Sequence, residues 1–195
     1  MRGPRIVAAA SALVAVVSTA VLATAGAGDR GMHLVLRATA LMSLSFFLCA
    51  FVAAPLRELR PGGAADWLVD NRRYLGLSFA VSHFVHLAAI VELVRITARS
   101  PSAVTLVVGG FGYVLLFAMA ATSSDAAVAW LGARRWRQLH SFGLHYLWLV
   151  FTLTLLDSVG VSSVAALAEL ALVGAMVLRL TVRLRGRARS MLRTA

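Results

Sequence analysis

An all-α integral membrane fold, a bundle of six transmembrane helices with both termini cytoplasmic, is the class this sequence predicts, and three observations predict it. Hydrophobic residues make up 60% of the 195 and mean hydropathy is +0.83, which leaves too little polar surface to cover a soluble globule. Apolar runs near residues 6–25, 32–54, 74–97, 103–122, 139–156 and 161–180 each approach the roughly 20 residues a helix needs to cross a bilayer. The charge, net +11 with all nineteen basic residues arginine, is grouped between the runs. With the N-terminus inside, fifteen arginines fall on cytoplasmic segments and four outside, as the positive-inside rule requires.

The first run follows Arg2 and Arg5 and ends in Ala23-Thr24-Ala25-Gly26, so it also reads as a cleavable signal peptide. Its removal leaves the orientation of the rest unchanged. The second run carries Arg37 near its outer end, where a long side chain can snorkel, and Pro55 is expected to terminate it. Residues 55–73 then read as a polar cytoplasmic connector with Trp67 and Leu68 on an apolar side. The third run starts behind Arg72 and Arg73 and holds His83 and His86, then Glu92 with Arg95 three residues on, a spacing that suits an ion pair. In the fourth, Gly109, Gly110 and Gly112 suit close helix packing, because neither a strand nor a charge accompanies them as a phosphate-binding loop needs. Thr122-Ser123-Ser124-Asp125 suits the cap of a short interfacial helix reaching to Arg134.

The fifth run repeats the plan of the third, with Arg134, Arg135 and Arg137 ahead of His140 and His145. The sixth contains Glu169, an intramembrane carboxylate with no evident partner. It leads into an arginine-rich stretch, so that residues 1–195 form one transmembrane domain ending in a basic cytoplasmic tail at 181–195. That tail suits contact with anionic lipid rather than nucleic acid. The single cysteine, Cys49, excludes an intrachain disulfide and a thiolate cluster. No nucleotide-binding fingerprint occurs, so the chain is expected to lack a flavin or nicotinamide domain of its own.

Four of the five histidines lie in the third and fifth runs. These two run parallel from the arginine end, so depths can be compared at about 1.5 Å per residue. His83 and His86 then lie roughly 15 and 20 Å in, His140 and His145 roughly 5 and 12 Å, which matches His83 with His145. Neutral imidazole is a good axial ligand for haem iron, and two of them leave no open site, which suits electron transfer. Zinc fits less well, since no carboxylate or thiol stands at ligand spacing. Arginines 72, 73, 134, 135 and 137 would pair with propionates.

Arg72-Arg73-x-Leu75-Gly76-Leu77 followed by His86, then Thr122-Ser123 and Trp136-x-x-Leu139-His140, resemble the ferric-reductase-like transmembrane domain family. Within it they are nearest the haem-binding membrane subunits of the bacterial methionine sulfoxide reductase system. The motifs run over residues 37–151, with the core domain drawn at about 37–157. The resemblance implies six spans, with haem ligands on the third and fifth, and it aligns His86 and His140 with the family histidines. Leu153 stands where the family has a further histidine; His83 and His145 are additional. The resemblance therefore implies one haem b, or two. Cofactor binding is expected at His86, His140, His83, His145, Arg72, Arg73, Arg135 and Arg137, with His86 and His140 on the iron.

The function expected is relay of electrons across the cell's inner (plasma) membrane from a cytoplasmic flavoprotein or quinol towards an outer-face acceptor. Its partners are membrane lipid and a redox protein or quinone, with no nucleic acid. The alternative is a non-haem scaffold or small proton-coupled transporter.

Overall fold

The computed structural model describes residues 3–156, 159–160 and 162–194, with side chains as far as Met191. Arg2, Asp157, Val161 and Ala195 lie outside the described residues, as does the side chain of Arg193. The described chain forms eight helices: α1 Pro4–Ala25, α2 Asp29–Leu59, α3 Gly63–Asp70, α4 Arg72–Thr97, α5 Ala103–Ala121, α6 Asp125–Leu131, α7 Ala133–Leu156 and α8 Ser163–Thr194. Six of them, α1, α2, α4, α5, α7 and α8, are long and apolar enough to cross a membrane. The protein is a multi-pass helical membrane protein.

Local chemistry sets the boundaries. Pro4 opens α1 at the position where a missing N–H costs nothing. The turn into α2 is so tight that a Cβ on Gly31 would lie within van der Waals overlap of the Gly26 carbonyl oxygen. Ser102 caps α5 by accepting from Thr105 N at 3.1 Å, and Ser124 caps α6 from Ala127 N at 3.1 Å. The short helix expected after Thr122 is therefore present and stops at Leu131. Between α3 and α4 the buried Asn71 acts as a clamp: its Nδ2 donates to Trp67 O at 2.8 Å and its Oδ1 accepts from Gly3 N at 3.0 Å. One side chain thus ties three helices together.

The helix at the centre of the packing is α2, which lies along α4 over most of its length and also meets α1, α3 and α8. Small polar residues let α2 and α4 approach: Ser43 Oγ donates to Ser82 Oγ at 2.9 Å, and Ser82 Oγ donates to Thr39 O at 3.3 Å. Phe47 and Phe51 of α2 anchor the core with Phe79, Leu116, Leu144, Leu147 and Leu172. On the far side α7 packs between α5 and α8. A Cβ on Gly112 would meet Leu147 and Tyr146 at 3.6 Å, so this glycine serves the close α5–α7 packing expected; Gly109 and Gly110 face nothing within 4 Å.

Two boundaries differ from expectation. Pro55 does not end the second span, because α2 continues through it to Leu59, and residues 63–70 form α3 rather than loop. A proline inside a helix frees the carbonyl four residues earlier, here that of the fully buried Phe51. Arg179 of α8 donates its Nη1 to that oxygen at 2.7 Å, with its guanidinium 4.5 Å from the Phe51 ring centroid. In a membrane a freed carbonyl must find such a partner. Past residue 181 α8 runs on unbroken through the basic tail to Thr194.

This pairing makes a testable coupling. Arg179→Met strands a buried carbonyl and should lower stability in detergent by about 1–3 kcal/mol. In a Pro55→Ala background, where residue 55 regains an N–H for Phe51 O, the loss should be less than about half as large. Equal losses in the two backgrounds would contradict the coupling.

Candidate functional site

The arginine clusters gather at one end of the bundle. Gly3 bonds Asn71, Arg73 Nη1 pairs with Asp125 Oδ1 at 2.9 Å, and Arg179 reaches Phe51. Just inside this end α4 and α7 stand apart, and a cavity of ≈ 750 Å³ lies between them, within the roughly 300–1,000 Å³ of small-molecule and cofactor sites. From α4 it is lined by Arg72, Arg73, Gly76 and Phe79; from α7 by Trp136, Arg137 and His140; Arg179 enters from α8, and Leu116 and Leu144 are deeper. Asp125, already paired with Arg73, is the one carboxylate among the lining residues, against four guanidinium groups. Gly76 presents bare backbone to this space, since a Cβ built on it meets nothing within 4 Å.

Each histidine has a distinct setting. Thr39 Oγ1 lies 2.7 Å from Val35 O and 2.9 Å from His86 Nδ1. That contact engages Nδ1 and orients the His86 ring. A metal-binding imidazole is typically held this way. His83 stacks on His86 with ring centroids 5.3 Å apart and 8° between planes, and on Tyr113 at 5.0 Å. Its Nδ1 is buried without a hydrogen-bond partner, an unusual and costly state for a polar atom. Thr122 Oγ1 likewise lies 2.7 Å from Ala118 O and 3.1 Å from His140 Nε2. Trp136 stacks on that ring at 4.3 Å. His145 Nδ1 donates to Ser141 O at 2.6 Å, and the residue lines a different groove, between α7 and α8.

The structure brings His83 and His86 together and keeps both α7 histidines away from them. Phe151 of α7 packs on Phe79 and His83, at 6.0 and 5.5 Å, which fixes the α4–α7 register. His140, eleven residues before Phe151, lies roughly 16 Å nearer the arginine end, and His145 roughly 9 Å nearer. The expected level match of His83 with His145 therefore does not occur. Leu153 is near the depth of His83 but is 52% exposed on the outer face of α7.

Of the arginines named from sequence, Arg72, Arg73 and Arg137 line the cavity, Arg134 lines the α7–α8 groove, and Arg135 lines neither. Arg179 was missed, although a proline inside a span is a signal that some donor must serve the carbonyl it frees. The Glu92–Arg95 pair is present and two-pronged, with Arg95 Nε donating to Glu92 Oε2 at 2.8 Å. Glu169 is buried with Oε2 unpartnered, as Thr152 Oγ1 is on α7. Among the described residues no cluster of three or more histidine, cysteine or acidic side chains could hold a bare metal ion.

Five of the six spans, α2, α4, α5, α7 and α8, contribute to this cavity of histidine, arginine and aromatic groups, which defines the chain as a polytopic membrane protein with an internal site. No family model matches the chain. No solved structure matches it either. Among curated proteins it is 32% identical over 157 residues to the protein-methionine-sulfoxide reductase heme-binding subunit MsrQ of Ralstonia nicotianae, covering 70% of each chain. It is 32% identical over 146 residues to the subunit of the same name from Azospira oryzae, covering 68% of this chain and 61% of that protein. It is 34% identical over 122 residues to that of Herminiimonas arsenicoxydans, covering 53% of each. The chain belongs to the MsrQ family.

Proposed function

We propose that the protein is a haem b-binding subunit of the inner (plasma) membrane that relays single electrons for a protein-methionine-sulfoxide reductase. The donor is a cytoplasmic flavoprotein or quinol at the arginine end, and the acceptor is at the outer face. The observation that carries the reading is His86, oriented by the hydrogen bond between its Nδ1 and Thr39, inside a chain whose relatives are named as heme-binding subunits. The residues present fit the group. His83 has an orphaned buried nitrogen beside His86, Gly76 leaves a bare backbone wall, and four arginines face a cavity with one carboxylate.

Bound haem would supply a one-electron iron couple. The chain's own residues then divide the remaining work. His86 would hold the iron, with Thr39 orienting its ring through Nδ1. His140 would hold a second group at the cavity, where Trp136 stacks on its ring and Thr122 lies 3.1 Å from its Nε2. Arg72, Arg73, Arg137 and Arg179 neutralise propionates by charge-assisted hydrogen bonds. Because His86 and His140 differ in depth by on the order of 20 Å, they would hold separate haems rather than one iron. Purified protein expressed with sufficient haem should show a Soret band that shifts on addition of dithionite. Folded protein without that band overturns the reading.

A further inference from the structure

On α7 a second stripe, which adjoins the cavity wall at Arg137 and Ser141, runs through Arg134, Gln138, Ser141, Phe142 and His145. Steps of three and four residues put it on one helical face. With Arg183 of α8 opposite, it walls a groove of ≈ 710 Å³. Arg134, Arg137 and Arg183 converge there, none of the three forms an ion pair among the described residues, and no carboxylate lines the groove. Glu58 approaches α8 from α2 at Gly186 and is not part of the groove. Further along, the same face of α7 turns wholly apolar, with Phe142 56% exposed and then Leu149, Leu153 and Leu156 also exposed. The stripe therefore passes from cation through amide and hydroxyl to aromatic and aliphatic, the order of groups along a phospholipid. Basic pockets between membrane helices are where anionic head groups bind.

We propose that the α7–α8 groove is a binding site for one anionic phospholipid, its phosphodiester between Arg134 and Arg183 and an acyl chain along Leu149 and Leu153. The site is separate from the haem reading and does not depend on it. Native mass spectrometry of the detergent-solubilised full chain, titrated with phosphatidylglycerol and with phosphatidylcholine of the same acyl chains, tests it. Phosphatidylglycerol should bind at least about tenfold more tightly, and Arg134→Gln/Arg183→Gln should abolish the preference. The control Arg187→Gln/Arg189→Gln, on the exposed end of α8 beyond the groove, should retain it. Inorganic phosphate should not displace the lipid.

Equal binding of the two lipids by the wild type overturns the proposal, and needs no variant to fold. Equal loss in the control overturns it too, by assigning the preference to diffuse charge on α8. Displacement by inorganic phosphate would make the groove a site for the free ion instead.

Discussion

Alanine at His86 and alanine at His140 should each remove about half of the haem from the folded protein, and the double substitution should remove all of it. The expectation rests on register. Phe151 packs on Phe79 and His83, so His140 lies far to the arginine side of His86 and the two imidazoles cannot grip one iron. The losses should also differ in kind. His86 has its ring oriented at Nδ1 by Thr39, so its removal should eliminate one spectral species outright. His140 must release Thr122 to present Nε2, so Thr122→Val should leave binding at that level intact. Pyridine haemochrome per folded chain, with circular dichroism to establish folding, makes the measurement. Complete haem loss from either single variant would place both residues on one iron and contradict the register.

Gly76→Leu should empty the cavity without harming the fold. The added Cβ points into open space, and the larger side chain enters the cavity that Gly76 lines with His140 and Arg179. In a helix interior leucine is also favoured over glycine by about 0.8–1 kcal/mol, so thermal stability should hold or rise. Haem content should fall by about half, matching the His140→Ala variant and leaving the His86 level unaffected. Full haem content in a folded Gly76→Leu protein would show that the cavity is not where the cofactor sits.

Much of this was legible in the sequence, for reasons of scale. Span number follows from apolar length, the gathering of arginines at one end from their spacing between spans, and the Ser124 cap and the Glu92–Arg95 pair from contacts within a turn or two. What was not legible depends on contacts across the chain. Pro55 reads locally as a terminator, and only Arg179, more than a hundred residues later, lets α2 continue through it. Asn71 carries no signal of its clamp on Gly3. The histidine-bearing α4 draws attention in the sequence, whereas the packing centre is α2, whose Phe47 and Phe51 are ordinary apolar residues until neighbours are known. Depth along α7 counts from its arginines, which lie at the start of the helix, and that count carries no information on which ring faces His83. Phe151 does, through aromatic contacts that periodicity does not encode.

The most direct measurement is the haem content of the wild-type chain, purified in detergent after expression with ample haem and assayed by pyridine haemochrome against the concentration of folded protein. The account predicts a b-type spectrum with about two haems per chain. A folded, colourless protein would contradict it.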